Sequence, residues 1–186
     1  MNVLIRLTVA SSVIIFASSF FSVRASAQSE GVVGFGGEII ESACGLEVGG
    51  ADQIVEMPAE PIGRLLRDGQ GEPFPFQLRL VNCSLSRPDP LRLGQNLPDF
   101  QHVQVTFDGA RDRGGLSFTA FGDSQGVALQ IVDEFGQESV PGKPMARQPL
   151  LAGSVALNYT LRLIGNGLPI VAGTHGAAVR FKLEYF

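Results

Sequence analysis

An all-β fold, a single antiparallel β-sandwich, is predicted by three observations on this 186-residue chain. Apolar residues alternate with period two in segment after segment, the mark of half-buried strands. Turn signals separate these segments: Asp108-Gly109, Arg113-Gly114-Gly115, Phe135-Gly136, Pro141-Gly142, Gly165-Asn166-Gly167 and Ala172-Gly173. With 23 Gly and 11 Pro, the chain is punctuated too often for long helices.

Taken in order, Val32–Ile40 reads as the first strand and Gln53–Met57 as a short second one. Pro61–Asp68 is the one stretch that suits a turn of helix. Phe74–Cys83 (FPFQLRLVNC) sets Phe74, Phe76, Leu78, Leu80 and Asn82 on one face. His102–Phe107 (HVQVTF) alternates in the same way, and Leu116–Phe121, Val127–Val132 and Ser154–Ile164 follow as strands. The cleanest alternation is the last. In Ala177–Phe186 (AAVRFKLEYF), Ala177, Val179, Phe181, Leu183 and Tyr185 share one face, and Ala178, Arg180, Lys182 and Glu184 share the other. Terminal residues usually fray unless something ties them down. This strand therefore either closes a sheet or lies at an edge that takes a partner.

Residues 1–27 are expected to be a signal peptide. Met1–Arg6 carries one positive charge, Leu7–Phe21 is apolar or small, and Ala25-Ser26-Ala27 offers a cleavage site after Ala27, with Ala25 as the alternative. The apolar run is short and serine-rich for a membrane span. Cleavage would remove Arg6 and Arg24 and no acid, leaving 12 basic against 18 acidic residues, a net charge of −6. Such a chain is a poor ligand for nucleic acid or an anionic membrane surface. The expected mature chain of 159 residues is large enough for one domain with its own core. Export places Cys44 and Cys83 in an oxidising compartment, where an even pair reads as one disulfide. His102 and His175 lie far from both cysteines in sequence, so no metal-ligand spacing is present and no metal or other cofactor is expected.

Catalytic motifs are weak. Gly34-Phe35-Gly36-Gly37 is glycine-rich, but no helix follows to present its N-terminus to a phosphate. Neither histidine belongs to a recognisable acid–base–nucleophile set. Asn82-Cys83-Ser84 and Asn158-Tyr159-Thr160 match a glycosylation sequon, yet both fall inside expected strands. Tryptophan is absent and tyrosine occurs twice, poor provision for stacking on sugar rings. An enzyme is not expected. The ends say more. Gln28–Phe35 puts Ser29, Gly31, Val33 and Phe35 at alternate positions, which suits either a strand added to another sheet or a disordered leader.

Four stretches resemble the fimbrial subunits (pilins) of the bacterial chaperone–usher pathway. They are the Gly36–Cys44 run GGEIIESAC, Leu78–Cys83 (LRLVNC), VTFDG ending at Gly109 with GVALQI from Gly126, and the C-terminal motif with Gly173 fourteenth from the end and Tyr185 penultimate. The stretches LRLVNC, VTFDGAR, GVALQIVDEFG and LNYTLRLIGNG are also similar to the terminator subunits that end assembly and hold a pilus at the cell surface. The resemblance implies an immunoglobulin-like sandwich over residues 36–186 that lacks its last strand, preceded by a donor extension at 28–35. It implies that a periplasmic chaperone first lends the missing strand and that a neighbouring subunit's extension later replaces it. Gly173, Val179, Phe181, Leu183, Tyr185 and Phe186 would then form the groove and chaperone-facing strand, with Ser29, Gly31, Val33 and Phe35 as donor residues. The implied partners are the chaperone, the outer-membrane usher and neighbouring pilus subunits, and the implied destination is the cell-surface fimbrium. A tip adhesin would carry a second, receptor-binding domain, for which the expected mature chain is too short.

Overall fold

The computed structural model describes residues 41–186. The signal peptide, the donor residues Ser29, Gly31, Val33 and Phe35, and the expected first strand at Val32–Ile40 lie outside the described residues. Two sheets pack face to face. The larger joins β1 (Gly45–Leu46), β2 (Phe74–Cys83), β10 (Gly153–Gly165), β7 (Val127–Asp133) and β6 (Phe118–Thr119) in that order. The smaller runs β11 (Val179–Tyr185), β5 (His102–Gly109), β8 (Lys143–Pro144), with β9 (Gln148–Pro149) also on β5. A separate hairpin pairs β3 (Arg87–Pro88) with β4 (Asn96–Leu97). Every pairing is antiparallel.

The core lies between the sheets and is built from the inward positions of the alternating strands. Leu78 and Leu80 of β2, Val103, Val105 and Phe107 of β5, Ile131 of β7, and Leu157 and Tyr159 of β10 are all buried in one cluster. Tyr159 stacks on Phe76 at 5.4 Å between ring centroids and meets Phe107 edge-on at 5.0 Å. Such aromatic pairs add to the burial of their area.

Three expectations are corrected. Gln53–Met57 forms no ladder with any described strand: the last backbone bond to β2 runs from the Glu47 N–H to the Arg79 carbonyl, just upstream, and Gln53 reaches β2 only with its side chain, Nε2 donating to the Gln77 carbonyl at 3.4 Å. Val55 and Met57 still turn to the core while Ile54 is 93% exposed, so the alternation is real but no described strand pairs with it. Leu116–Phe121 contributes strand only at Phe118–Thr119. Asn82 does not share the inward face of Phe76, Leu78 and Leu80. Gly153 pairs with Cys83 and Val155 with Leu80, so β2 holds one extra residue opposite β10, a β-bulge. Asn82 takes φ 54°, a left-handed conformation that asparagine tolerates. The bulge turns Asn82 out and Cys83 in, where Cys83 is bridged to Cys44.

The expected turn of helix is present as α1 (Ile62–Asp68). Gly69 ends it with φ 71°, its N–H donating to the Leu65 carbonyl. Leu65 buries against Val127 and Leu163, in a satellite cluster beyond the main core.

Candidate functional site: an open groove beside the last strand

One edge of β11 is paired and the other is not. The Phe186 N–H donates to the His102 carbonyl and the His102 N–H to the Phe186 oxygen, both at 2.9 Å, which makes that pair a hydrogen-bonded one. Antiparallel ladders alternate bonded and non-bonded pairs. With Arg180 opposite Asp108 and Lys182 opposite Thr106, the even-numbered residues of β11 bond to β5. Val179, Phe181, Leu183 and Tyr185 therefore point their backbone N–H and C=O groups away from β5. The same four residues pack their side chains on the core. Among the described residues, no strand pairs with this outer edge.

Beside that edge runs a groove of about 1060 Å³. Val179 and Phe181 of β11 line it, as do Val55 and Met57. Its floor is apolar, with Phe76, Leu78, Ile131 and Leu161 among the lining side chains. Extended chain laid here would meet unpaired backbone on one side and hydrocarbon beneath. That is the geometry of strand addition, in which main-chain bonds give affinity and alternate side chains give specificity. The outer face of β11 is different: Arg180 pairs with Asp108 at 3.3 Å and Lys182 with Glu184 at 2.9 Å, all exposed. Exposed pairs of this kind contribute little stability.

One end of the groove is closed by a seam of glycines. Segment 168–176 crosses 121–126, with Ser124 N–H bonded to the Thr174 carbonyl, mutual bonds between Gln125 and Val171, and mutual bonds between Phe121 and Gly176. A Cβ on Gly173 would lie 2.6 Å from the Asp123 carbonyl carbon and the Ser124 nitrogen. From the other side, a Cβ on Gly126 would lie 2.5 Å from the Pro169 oxygen. Only glycine allows this approach. The spacing of Gly173 from the last strand marked this residue in the sequence. Its partners Gly122 and Gly126 lie in another segment and carried no such mark.

The sequence-predicted residues divide along β11. Gly173, Val179 and Phe181 line the groove. Leu183 and Tyr185 continue the same face but pack against the main core, Tyr185 meeting Phe100 edge-on at 6.1 Å. Burial pushes the Tyr185 phenol up, with Ser42 opposing as a hydrogen-bond partner. Phe186 sits outside the groove under the Arg147 guanidinium, 3.8 Å from the ring centroid. Sequence reasoning placed Gln53–Met57 in a sheet and so missed it as part of the groove lining. His175 also lines the groove. Among the described residues, no group of His, Cys, Asp or Glu is arranged to hold a metal ion.

No family model matches the chain. Curated relatives do. The PAP fimbrial minor pilin protein of Escherichia coli is 35% identical over 156 residues, covering 84% of this chain and 77% of the relative. The chain belongs to the fimbrial pilins. The PRS fimbrial minor pilin protein of Escherichia coli matches to the same extent, and Fimbria A protein of Serratia marcescens is 28% identical over 87% of this chain and 88% of its own. The fold agrees with solved structures. The P pilus rod subunit PapA superposes with a TM-score of 0.64 at 19% identity, covering 78% of this chain and all of that one. A chaperone–usher pilus structure solved to explain rod uncoiling gives 0.67 at 22% identity, over 86% and 97%. The sandwich of this pilin is thus immunoglobulin-like and ends where a further strand would pair. The protein is a structural subunit of surface fimbriae, not an enzyme, and its partners are neighbouring pilus subunits.

Proposed function

We propose that this pilin is assembled by donor-strand exchange. Its groove is first filled by a strand lent by a periplasmic chaperone, a neighbouring subunit's extension later replaces that strand with the outer-membrane usher as a further partner, and its own residues 28–35 complete the preceding subunit. The observation that carries the proposal is the unpaired edge of β11. Val179, Phe181, Leu183 and Tyr185 face that edge with their backbone while their side chains point to the core. Residues 1–27 direct export, and 28–35 supply Ser29, Gly31, Val33 and Phe35 as the donor face. Deleting 28–35 tests this. The truncated chain is expected to keep its bridge and its chaperone complex but to vanish from fibres. Gly31→Val should act like the deletion and Glu30→Ala should not. Normal incorporation of the truncated chain refutes the mechanism.

A second reading, in which the pilin terminates the fibre at the cell surface, is favoured by one observation. The 35% identical relatives are minor pilins, whereas the F7-2 fimbrial protein of Escherichia coli is 24% identical. A terminator donates its extension but accepts none. A synthetic donor peptide added to the chaperone complex separates the two: exchange marks a polymerising subunit, and no exchange marks a terminator.

A further inference from the structure

Between β2 and β5 the chain leaves the sandwich as the β3–β4 hairpin, whose tip holds Leu91 and Leu93 at 91% and 99% exposure. Two leucines placed almost wholly in water beside one another call for an explanation. The tip is also firmly built. The Asp89 side chain accepts the Leu91 N–H at 2.8 Å, the Asp89 N–H donates to the Gln95 carbonyl at 2.9 Å, and the Gln95 N–H donates to the Arg92 carbonyl at 3.0 Å. Gly94 supplies the positive φ, 80°, and Pro88, Pro90 and Pro98 restrict the flanks. A preorganised apolar tip loses little freedom when it docks.

The root of the hairpin says where it docks. Arg87 lies 5.1 Å from the centre of the Phe100 ring and is hydrogen-bonded to Glu41, the first described residue. The hairpin therefore springs from the point at which the N-terminal segment joins the domain. Residues 36–40 separate Phe35 from Glu41 and span at most about 20 Å when extended. From Arg87 to Leu91 the hairpin reaches at most about 14 Å by the same measure. A subunit that takes residues 28–35 into its groove is therefore tethered within about 20 Å of Glu41, where the hairpin is rooted.

We infer that Leu91 and Leu93, with Arg92 between them, form a second contact on the neighbouring fimbrial subunit that receives residues 28–35. The inference rests on the donor-strand proposal. The partner surface it fits is apolar, since Arg92 already pairs with Asp89 within the tip at 3.9 Å. The contact supplements the inserted strand and fixes how the two domains sit on one another, since a short linker alone leaves their orientation free.

The test uses the full chain in cells that assemble the fimbria, with a photo-cross-linking residue introduced at position 93 and, as control, at position 66 on the exposed side of α1. Cross-linking from position 93 to a neighbouring pilus subunit, absent from position 66, is the expected result. The double variant Leu91→Ser/Leu93→Ser should enter fibres at about one-tenth of the normal level, as expected for losing a contact of this kind. It should keep its bridge and its chaperone complex. A free peptide of residues 28–40 should complete the receiving subunit whether or not the hairpin is altered. If position 93 cross-links to the chaperone, to the usher or to nothing while the chain enters fibres normally, the contact is refuted and donor-strand exchange stands. If the peptide completes no subunit and the unaltered chain enters no fibre, the donor-strand proposal falls, and the contact falls with it.

Discussion

Replacing Gly173 by alanine probes the closed end of the groove without touching its floor. The new methyl would sit 2.6 Å from two backbone atoms, those of the Asp123 carbonyl carbon and Ser124 nitrogen, and 2.9 Å from the Asp123 Cβ. Ordinary contact begins near about 3.4 Å, so the two segments must part by roughly 0.8 Å. The seam is held by backbone bonds at 2.9 Å from Ser124 to Thr174, and at 3.1 and 3.0 Å between Gln125 and Val171. Parting them by that amount carries these bonds past useful length, and each contributes about 1 kcal/mol net. The expected cost is about 2–4 kcal/mol, which lowers the unfolding midpoint of the groove-filled protein by roughly 6–12 °C. Gly176→Ala is the matched control. Its methyl would meet the Phe121 ring at 2.8 Å, but that ring is 61% exposed and free to swing aside. Its cost should stay below about 1 kcal/mol. Calorimetry of both variants in complex with a donor peptide or chaperone decides the matter. Equal midpoints for Gly173→Ala and Gly176→Ala would refute the seam as the reason for glycine at 173.

Phe181→Asp and Tyr185→Asp should each prevent recovery of the chaperone complex, because a charge against the apolar core costs several kcal/mol. Arg180→Ala and Lys182→Ala should leave it within about 0.5 kcal/mol; equal loss on both faces of β11, measured by co-purification, would overturn the assigned register. Removing the Cys44–Cys83 bridge, with its sequence separation of 39, should cost roughly 4 kcal/mol in the chain-entropy model, read from denaturant titration of the reduced complex. Tyr159 is buried, and burial pushes its phenol well above the ordinary range, with the charges of Asp133 and Glu134 adding to the effect and Gln148 opposing it. A raised folded-state pKa means that this contribution is full below the unfolded value of about 10 and is lost as pH rises beyond it. Tyr159→Phe should therefore unfold at a higher alkaline pH than the natural chain when followed by circular dichroism; an unchanged midpoint would count against burial of the hydroxyl.

Most of the sandwich was legible because its strands are half-buried, and period two survives in sequence wherever one face meets a core. β2 has the bounds expected for it, and β5, β7, β10 and β11 differ by one or two residues at their ends. What failed did so for local reasons. Alternation predicts a strand at Gln53–Met57, but a ladder needs a neighbour, and among the described residues this segment has none and lines the groove instead. Alternation also carried Asn82 inward, since a bulge inserts one residue without any apolar signature.

These two failures bear on function in opposite ways. The bulge at Asn82 lets the outer β2 end reach Cys44, and it fixes the chain immediately downstream of the N-terminal segment. Among the described residues Gln53–Met57 joins no ladder, and Gln53, Val55 and Met57 line the groove together with Val179 and Phe181 of β11. A strand entering the groove would meet the unpaired edge of β11 and an apolar lining that includes Phe76, Leu78 and Ile131. Burial of that lining favours insertion by about 25 cal/mol per Å² of apolar surface covered, and the edge confers direction and register. The segment that alternates without joining a described ladder thus lines the site that the last strand begins.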